Sequence, residues 1–208
     1  MKKLFLTSVA CKVLDKFVEL LDCPPSDLTV AFIPTAADVY ENKSFVDDDR
    51  NKLSELGFKI LDINITNKTE EILQEQMKDI DIIFVAGGNT FYLLEKALAS
   101  GFDKIVKKLV ESGKYYIGSS AGSVLAGLTI EPVKLLDDPS KAQNLKSFDG
   151  LKLIDKIILP HCGNEKYQDK MNQILKDYSD VKDKIIKLTD NQAAIINDEA
   201  IKIISSDD

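Results

Sequence analysis

The stretch KYYIGSSAGSVLAG, Lys114–Gly127, runs from an apolar segment through Gly118-Ser119-Ser120-Ala121-Gly122 into a small-residue run. Tyr115, Tyr116 and Ile117 have the aromatic and β-branched character of a buried strand, and a helix is expected from about Ala121. The pentad fits G-x-S-x-G, in which a serine sits on a sharp, strained turn between a strand and a helix. Bulky residues at either glycine would collide with the neighbouring strand and helix. Taken alone, the pentad is equally a tight βα turn or an anion-binding loop. Its flanks decide between a chance turn and a fold built from strands that lead directly into helices.

Reading outward, the same strand-then-helix unit recurs. KLFLTSV (Lys3–Val9), TVAFIPTA (Thr29–Ala36), FKILDIN (Phe58–Asn64) and DIIFVAGG (Asp81–Gly88) are short and continuously apolar. Amphipathic segments follow them: CKVLDKFVELLD with Val13, Leu14, Phe17, Leu20 and Leu21 at helical spacing, a helix stopped by Gly57, one capped by Thr69, and one opening at Asn89-Thr90. Continuously apolar strands are buried on both faces. The expectation is therefore an α/β three-layer sandwich, a mostly parallel sheet with helices on both faces. Residues 131–150 read as a long loop. DKIILPHC is strand-like and EKYQDKMNQILKDY helix-like. KIIKLTDNQAAIIND with AIKIIS reads as a closing β-hairpin turning near Asp198-Glu199. With no linker or repeat, residues 1–208 are expected to form a single domain.

Bulk properties narrow the function. A net charge of −7 disfavours a nucleic-acid partner, and no apolar run is long enough to span a membrane. The three cysteines, Cys11, Cys23 and Cys162, have no metal-ligand spacing. Reduced thiols in a cytoplasmic protein are expected, with no metal and no organic cofactor. MKKLFLTSVACK resembles a short export signal, but its apolar run contains Thr7 and Ser8 and reads better as a first strand. The chain is expected to act as a monomer or homodimer.

In parallel α/β sheets, ligands bind at the carboxyl ends of the strands. Three polar clusters fall there: Gly87-Gly88-Asn89-Thr90, the Ser120 pentad, and the only histidine, His161. A serine hydroxyl needs a base to become a nucleophile, and His161 is the available one. A carboxylate should orient the imidazole. Asp190 lies near a strand end beyond the histidine, while Asp137 and Asp138 lie in the long loop before it. If His161 and Cys162 share a strand, their side chains point to opposite faces, so they do not act as a pair. Asn89 or Thr90 as a helix N-cap would account for GGNT, apart from its paired glycines. Paired glycines let a backbone N–H approach a substrate oxygen closely.

VAGGNTFYLLEKAL, YYIGSSAGSVLAG, ILPHC and KLTDNQAAII, in that order, resemble the dipeptidase E and cyanophycinase family of serine peptidases. The resemblance implies a fold like class I glutamine amidotransferases, with serine in place of their cysteine. It implies Ser120 as nucleophile, His161 as base, and Gly88 and Ala121 as oxyanion donors. The third member falls on Asp190, with Asp137 as the alternative. Asn89, Thr90 and Lys170 are expected to bind substrate, a short peptide. Dipeptidase E takes dipeptides with an N-terminal aspartate and has arginines near the helix after the histidine. Here Lys166 and Lys170 stand there, and the only arginine is Arg50. A lysine lacks the bidentate fork, which puts the aspartate preference in doubt. Two other readings use the same residues: an esterase-like hydrolase built on the Ser120 elbow, and a non-peptidase relative that binds a small molecule at the same strand ends.

Overall fold

The computed structural model describes residues 2–207. Its elements run β1 (Lys3–Thr7), α1 (Leu14–Val18), β2 (Thr29–Ile33), α2 (Ser44–Glu55), β3 (Lys59–Asp62), α3 (Glu70–Gln76), β4 (Ile82–Val85), α4 (Thr90–Ser100), α5 (Phe102–Glu111), β5 (Tyr115–Ser119) and α6 (Ala121–Ala126). Then come β6 (Ile157–Leu159), α7 (Gln168–Asp177), β7 (Ile185–Lys187), β8 (Gln192–Asn197) and β9 (Ala200–Ser205). The main sheet has the order β3-β2-β4-β5-β1-β8-β9. Its first five strands are parallel; β8 runs antiparallel to β1, and β9 antiparallel to β8.

Strand periodicity explains the two cores. Leu4, Leu6, Ile83, Val85 and Tyr116 point to one face, and Phe5, Ile82, Phe84 and Ile117 to the other. The first face is covered by α3 to α7, through residues such as Leu73, Phe91, Phe102, Val124 and Ile174. The second is covered by α1 and α2, through Leu14, Phe17, Val46 and Leu53. Central strands therefore carry apolar residues on both faces, which is why they read as nearly unbroken apolar runs. The edge strand β3 does not: Lys59, Leu61 and Asp62 are exposed.

Four segments differ from their reading in the sequence. CKVLDKFVELLD forms a 3₁₀ turn, Ala10–Lys12, and only five residues of α-helix, because the chain tucks beneath Phe5 and Tyr115; Phe17 meets both rings edge-on, at 5.4 and 5.3 Å. Helix α5 is additional. Phe102, Ile105, Val106 and Val110 form its buried stripe, and Gly101, at φ 75°, separates it from α4. β7 leaves the closing hairpin and pairs in parallel with β6 in a separate two-stranded sheet, while β8 and β9 form the hairpin that turns at Asp198-Glu199. Residues 131–150 are not an open loop. They form 3₁₀ turns at Glu131–Leu135 and Pro139–Lys141, and a Thr129–Asp149 bridge closes the segment.

The join between β5 and α6 is the tightest part of the fold. Tyr116, fully buried, donates its hydroxyl to the Gly122 carbonyl at 2.6 Å. An added Cβ at Gly122 would lie 2.0 Å from the Val85 carbonyl oxygen, so α6 starts pressed against β4. Gly122→Ala should destabilise the protein by about 3 kcal/mol or more, because backbone cannot yield as a side chain can. Urea unfolding measures this, and a loss under about 0.5 kcal/mol would show that the elbow is not closely packed.

Candidate active site

The elbow places Ser120 at φ 47° and ψ −106°, outside the comfortable regions for a residue with a Cβ. Such a conformation costs on the order of 1–3 kcal/mol and persists only where its surroundings impose it. They do so here. The Ser120 N–H donates to Thr7 O at 3.0 Å, and its carbonyl accepts from Ser123 N and Val124 N at 2.9 and 3.0 Å. Ser123, fully buried, accepts the Thr7 N–H at 2.8 Å, and its hydroxyl lies 2.7 Å from Thr7 O and 2.8 Å from Gly118 O. Strand β1 and the start of α6 thus clamp the turn from both sides.

Ser120 Oγ lies 2.9 Å from His161 Nε2, and His161 Nδ1 lies 2.7 Å from Asp190 Oδ1. An ionised carboxylate only accepts, so Nδ1 carries the imidazole proton and Nε2 accepts from Ser120. His161 is not on a strand, since β6 ends at Leu159. It sits at φ 63° on the following loop, where its N–H donates to Ser8 Oγ at 3.0 Å. Ser8 donates in turn to Leu188 O at 2.9 Å, joining the histidine loop to the segment that leads to Asp190. Cys162 turns away towards Met171, 3.6 Å between sulfurs, and takes no part in the site.

Asp190 lies in the turn between β7 and β8 rather than at a strand end. Gln192 fixes that turn through N–H to Thr189 O at 3.1 Å and by accepting the Thr189 N–H at 3.0 Å. Asn164 donates to Asp190 Oδ2 at 2.8 Å, which leaves Oδ1 to the histidine. Burial acts to raise the Asp190 carboxyl, but the hydrogen bonds from His161 and Asn164 outweigh it and hold the group below its ordinary value. The Tyr167 ring covers the imidazole, with centroids 5.4 Å apart. Asp137 is not beside His161 Nδ1; its Oδ2 accepts from the Thr90 N–H and hydroxyl at 2.8 and 2.6 Å.

The cavity above Ser120 has a volume of about 520 Å³ and is lined by Gly88, Asp137, His161, Tyr167 and Lys170, among others. Gly88 occupies φ 143°, and a Cβ there would lie 2.2 Å from the Ala36 carbonyl carbon, so the second glycine of GGNT is required for packing as well as approach. Its N–H and that of Ala121 have no acceptor among the described residues. Asn89 and Thr90, expected to bind substrate, have their polar groups committed to the protein. Asn89 caps α4 by accepting the Tyr92 N–H at 2.9 Å and donates to Asp138 O at 3.0 Å, while Thr90 holds Asp137. Lys170 lines the cavity wall.

A model of peptidase family S51 matches residues 6–204. The chain belongs to peptidase family S51. It is therefore a serine peptidase. It is 33% identical over 201 residues to an uncharacterized peptidase of Listeria innocua, covering 97% of this chain and 95% of that one. A peptidase E of Haemophilus influenzae is 29% identical over 140 residues, 67% of this chain and 61% of the relative. A crystal structure from Listeria monocytogenes, provisionally named peptidase E, superposes with a TM-score of 0.92 at 32% identity, covering 99% of this chain and 98% of that one. The parallel β1 to β5 and a histidine that precedes its aspartate in the chain also disfavour the esterase-like arrangement, in which the acid comes before the histidine. No helix among the described residues is long and apolar enough to cross a membrane.

Sequence patterns did not point to Asn164, Tyr167 or Asp49 as parts of the site. The first two follow His161 within six positions, so proximity to the histidine was the available signal. Asp49 gave none: it reaches the cavity from the middle of α2, with 2% of its surface exposed. It accepts the Cys11 N–H at 2.8 Å. Burial pushes its carboxyl up to about 6, against lowering by hydrogen bonds from Ser119 and Cys11. A carboxyl raised on folding favours the native state fully below its unfolded value near 3.8, and that contribution is lost as pH rises through about 6. Wild type should therefore lose on the order of 3 kcal/mol between pH 4 and pH 7 relative to Asp49→Asn, which keeps an acceptor oxygen. Denaturant titrations of both proteins at several pH values measure the difference, and a difference independent of pH would contradict the account.

Proposed function

We propose that the chain hydrolyses short peptides by an acyl-enzyme route through Ser120, His161 and Asp190. The observation that carries this reading is the continuous pair of contacts, 2.9 Å from Ser120 Oγ to His161 Nε2 and 2.7 Å from His161 Nδ1 to Asp190 Oδ1. Ser120 Oγ attacks the scissile carbonyl carbon as its proton passes to Nε2. The carbonyl π electrons move onto oxygen, where the free N–H groups of Gly88 and Ala121 stabilise the oxyanion. The tetrahedral adduct collapses with cleavage of the C–N bond, and His161 returns its proton to the leaving amine. Water, deprotonated by His161, then attacks the ester, releases the new carboxylic acid and restores Ser120. Asp190 takes no proton; it keeps Nδ1–H pointed correctly and stabilises the imidazolium.

The cavity of about 520 Å³ is of the size that encloses a small-molecule ligand and suits a short peptide. Lys170 on its wall attracts a carboxylate as a point charge, without the two-pronged geometry of arginine, so selection for an acidic first residue should be weak. A panel of dipeptides with aspartyl, glutamyl and neutral first residues tests both parts of the proposal. Wild type should cleave several members, and Ser120→Ala and His161→Ala should each lose about 10⁴-fold or more in kcat. Near-full activity in Ser120→Ala would overturn the assignment.

A further inference from the structure

The paired glycines of GGNT are not equivalent. Gly88 is required where it stands, by its φ of 143° and by the Ala36 backbone against it. Gly87 is required by neither. It lies outside the left-handed region that favours glycine. A Cβ there would lie 3.4 Å from Ser120 Cβ, 3.6 Å from Ser119 O and 3.8 Å from Phe45 Cδ2, at ordinary contact distances. An alanine would therefore fit, and what it would occupy is cavity, since Gly87, Phe45 and Ser120 all line it. The missing methyl leaves a slot between the Phe45 ring and the proposed nucleophile.

The slot is apolar where the cavity as a whole is mixed. Phe45 stands in the first turn of α2 with 40% of its surface exposed, and the Tyr40 ring meets it edge-on at 6.3 Å. The Tyr40 hydroxyl is hydrogen-bonded with Asn89. Asp49, one turn further along α2, is turned to Cys11 and Ser119 and is closed off from solvent. Asp137, Lys166 and Lys170 bring charge to the cavity lining, but the atoms nearest the Gly87 slot belong to Ser120, Ser119 and Phe45.

Strand order says which part of a substrate reaches the slot. β4, β5 and β1 lie side by side. Gly87 follows β4, Ser120 follows β5, and Ser8, which accepts the His161 N–H, follows β1. Gly87 and His161 therefore flank Ser120 from opposite sides. The leaving amine must face His161 to receive its proton, which turns the acyl residue towards Gly87. We infer that the slot between Gly87 and Phe45 takes the side chain of the residue that supplies the scissile carbonyl, and that it selects a bulky apolar one. This inference rests on the peptidase reading of Ser120. A side chain seated there would cover the exposed Phe45 ring, and each methylene it buries is worth about fourfold in affinity.

The test is a set of dipeptides that differ in the first residue alone: glycyl-, alanyl-, leucyl-, phenylalanyl- and aspartyl-alanine. Wild type should favour leucyl or phenylalanyl over alanyl at least tenfold in kcat/KM. Gly87→Ala, which fills the slot, should cut that ratio below threefold. Phe45→Ala removes a half-exposed ring outside the core and should cut the ratio at least threefold, which keeps the test open if Gly87→Ala does not fold. Calorimetry in Ser120→Ala, with and without Gly87→Ala, should show the same order in binding without turnover. The inference is overturned if wild type cleaves the set with no preference for the bulky apolar residues, if it favours aspartyl over them, or if the preference survives either substitution in folded protein. A leucyl preference in binding by Ser120→Ala, when wild type hydrolyses none of these peptides, would refute the peptide-hydrolysis proposal and leave the slot standing.

Discussion

The backbone of Ser120 is held where a serine does not rest by itself, and the site is arranged around that constraint. The hydrogen bond from Ser120 N–H to the Thr7 carbonyl fixes the turn to β1. Ser123 closes the clamp from inside α6, and Gly122 lets that helix meet β4 without a side chain between them. The central strand β1 therefore does more than fill the sheet: its carboxyl end sets the position of the proposed nucleophile. Ser8, the next residue, receives the His161 N–H, so the same strand end also locates the proposed base. Two side chains referenced to one strand keep their separation when the rest of the molecule breathes.

The second layer of control lies in what holds the supporting carboxylate. Asp190 comes from a turn, which is a mobile setting by default. Gln192 and Asn164 remove that freedom, one by fixing the backbone and the other by occupying the second carboxylate oxygen. Asp137 is anchored with similar care by Thr90, on the cavity wall. In the sequence, Asp190 is the expected partner of the histidine and Asp137 the alternative. Their hydrogen bonds give them different orientations: one faces an imidazole, the other is held by Thr90 at the cavity wall.

The sheet, its parallel character and the Ser120 elbow were legible in the sequence because each rests on local pattern. Continuous apolar runs report burial on both faces, and G-x-S-x-G with GGNT reports two strand ends. What stayed hidden depends on distant packing. The segment after Cys11 has helical spacing yet forms little helix, because Phe17 is held between Phe5 and Tyr115. β7 looks like part of a hairpin, and only its pairing with β6 shows that it belongs elsewhere. Helix α5 was recoverable from the stripe of Phe102, Ile105, Val106 and Val110 that follows Gly101. Asp49 was not, since nothing in the pattern of α2 marks one of its acidic residues as buried. Asn89 and Thr90 sit in a motif that suggests ligand contact, while their side chains turn out to cap α4 and hold Asp137.

The central claim is that Ser120 is activated through His161 by Asp190 and not by Asp137. The rate constant for phosphonylation of Ser120 by a fluorophosphonate, with loss of fluoride, measured by mass shift over time, reads that activation without any knowledge of the natural substrate. The account predicts that Asp190→Asn, which leaves the fold intact but reverses the tautomer of His161, slows labelling by about 10³-fold or more. Labelling of Asp190→Asn at the wild-type rate would contradict it.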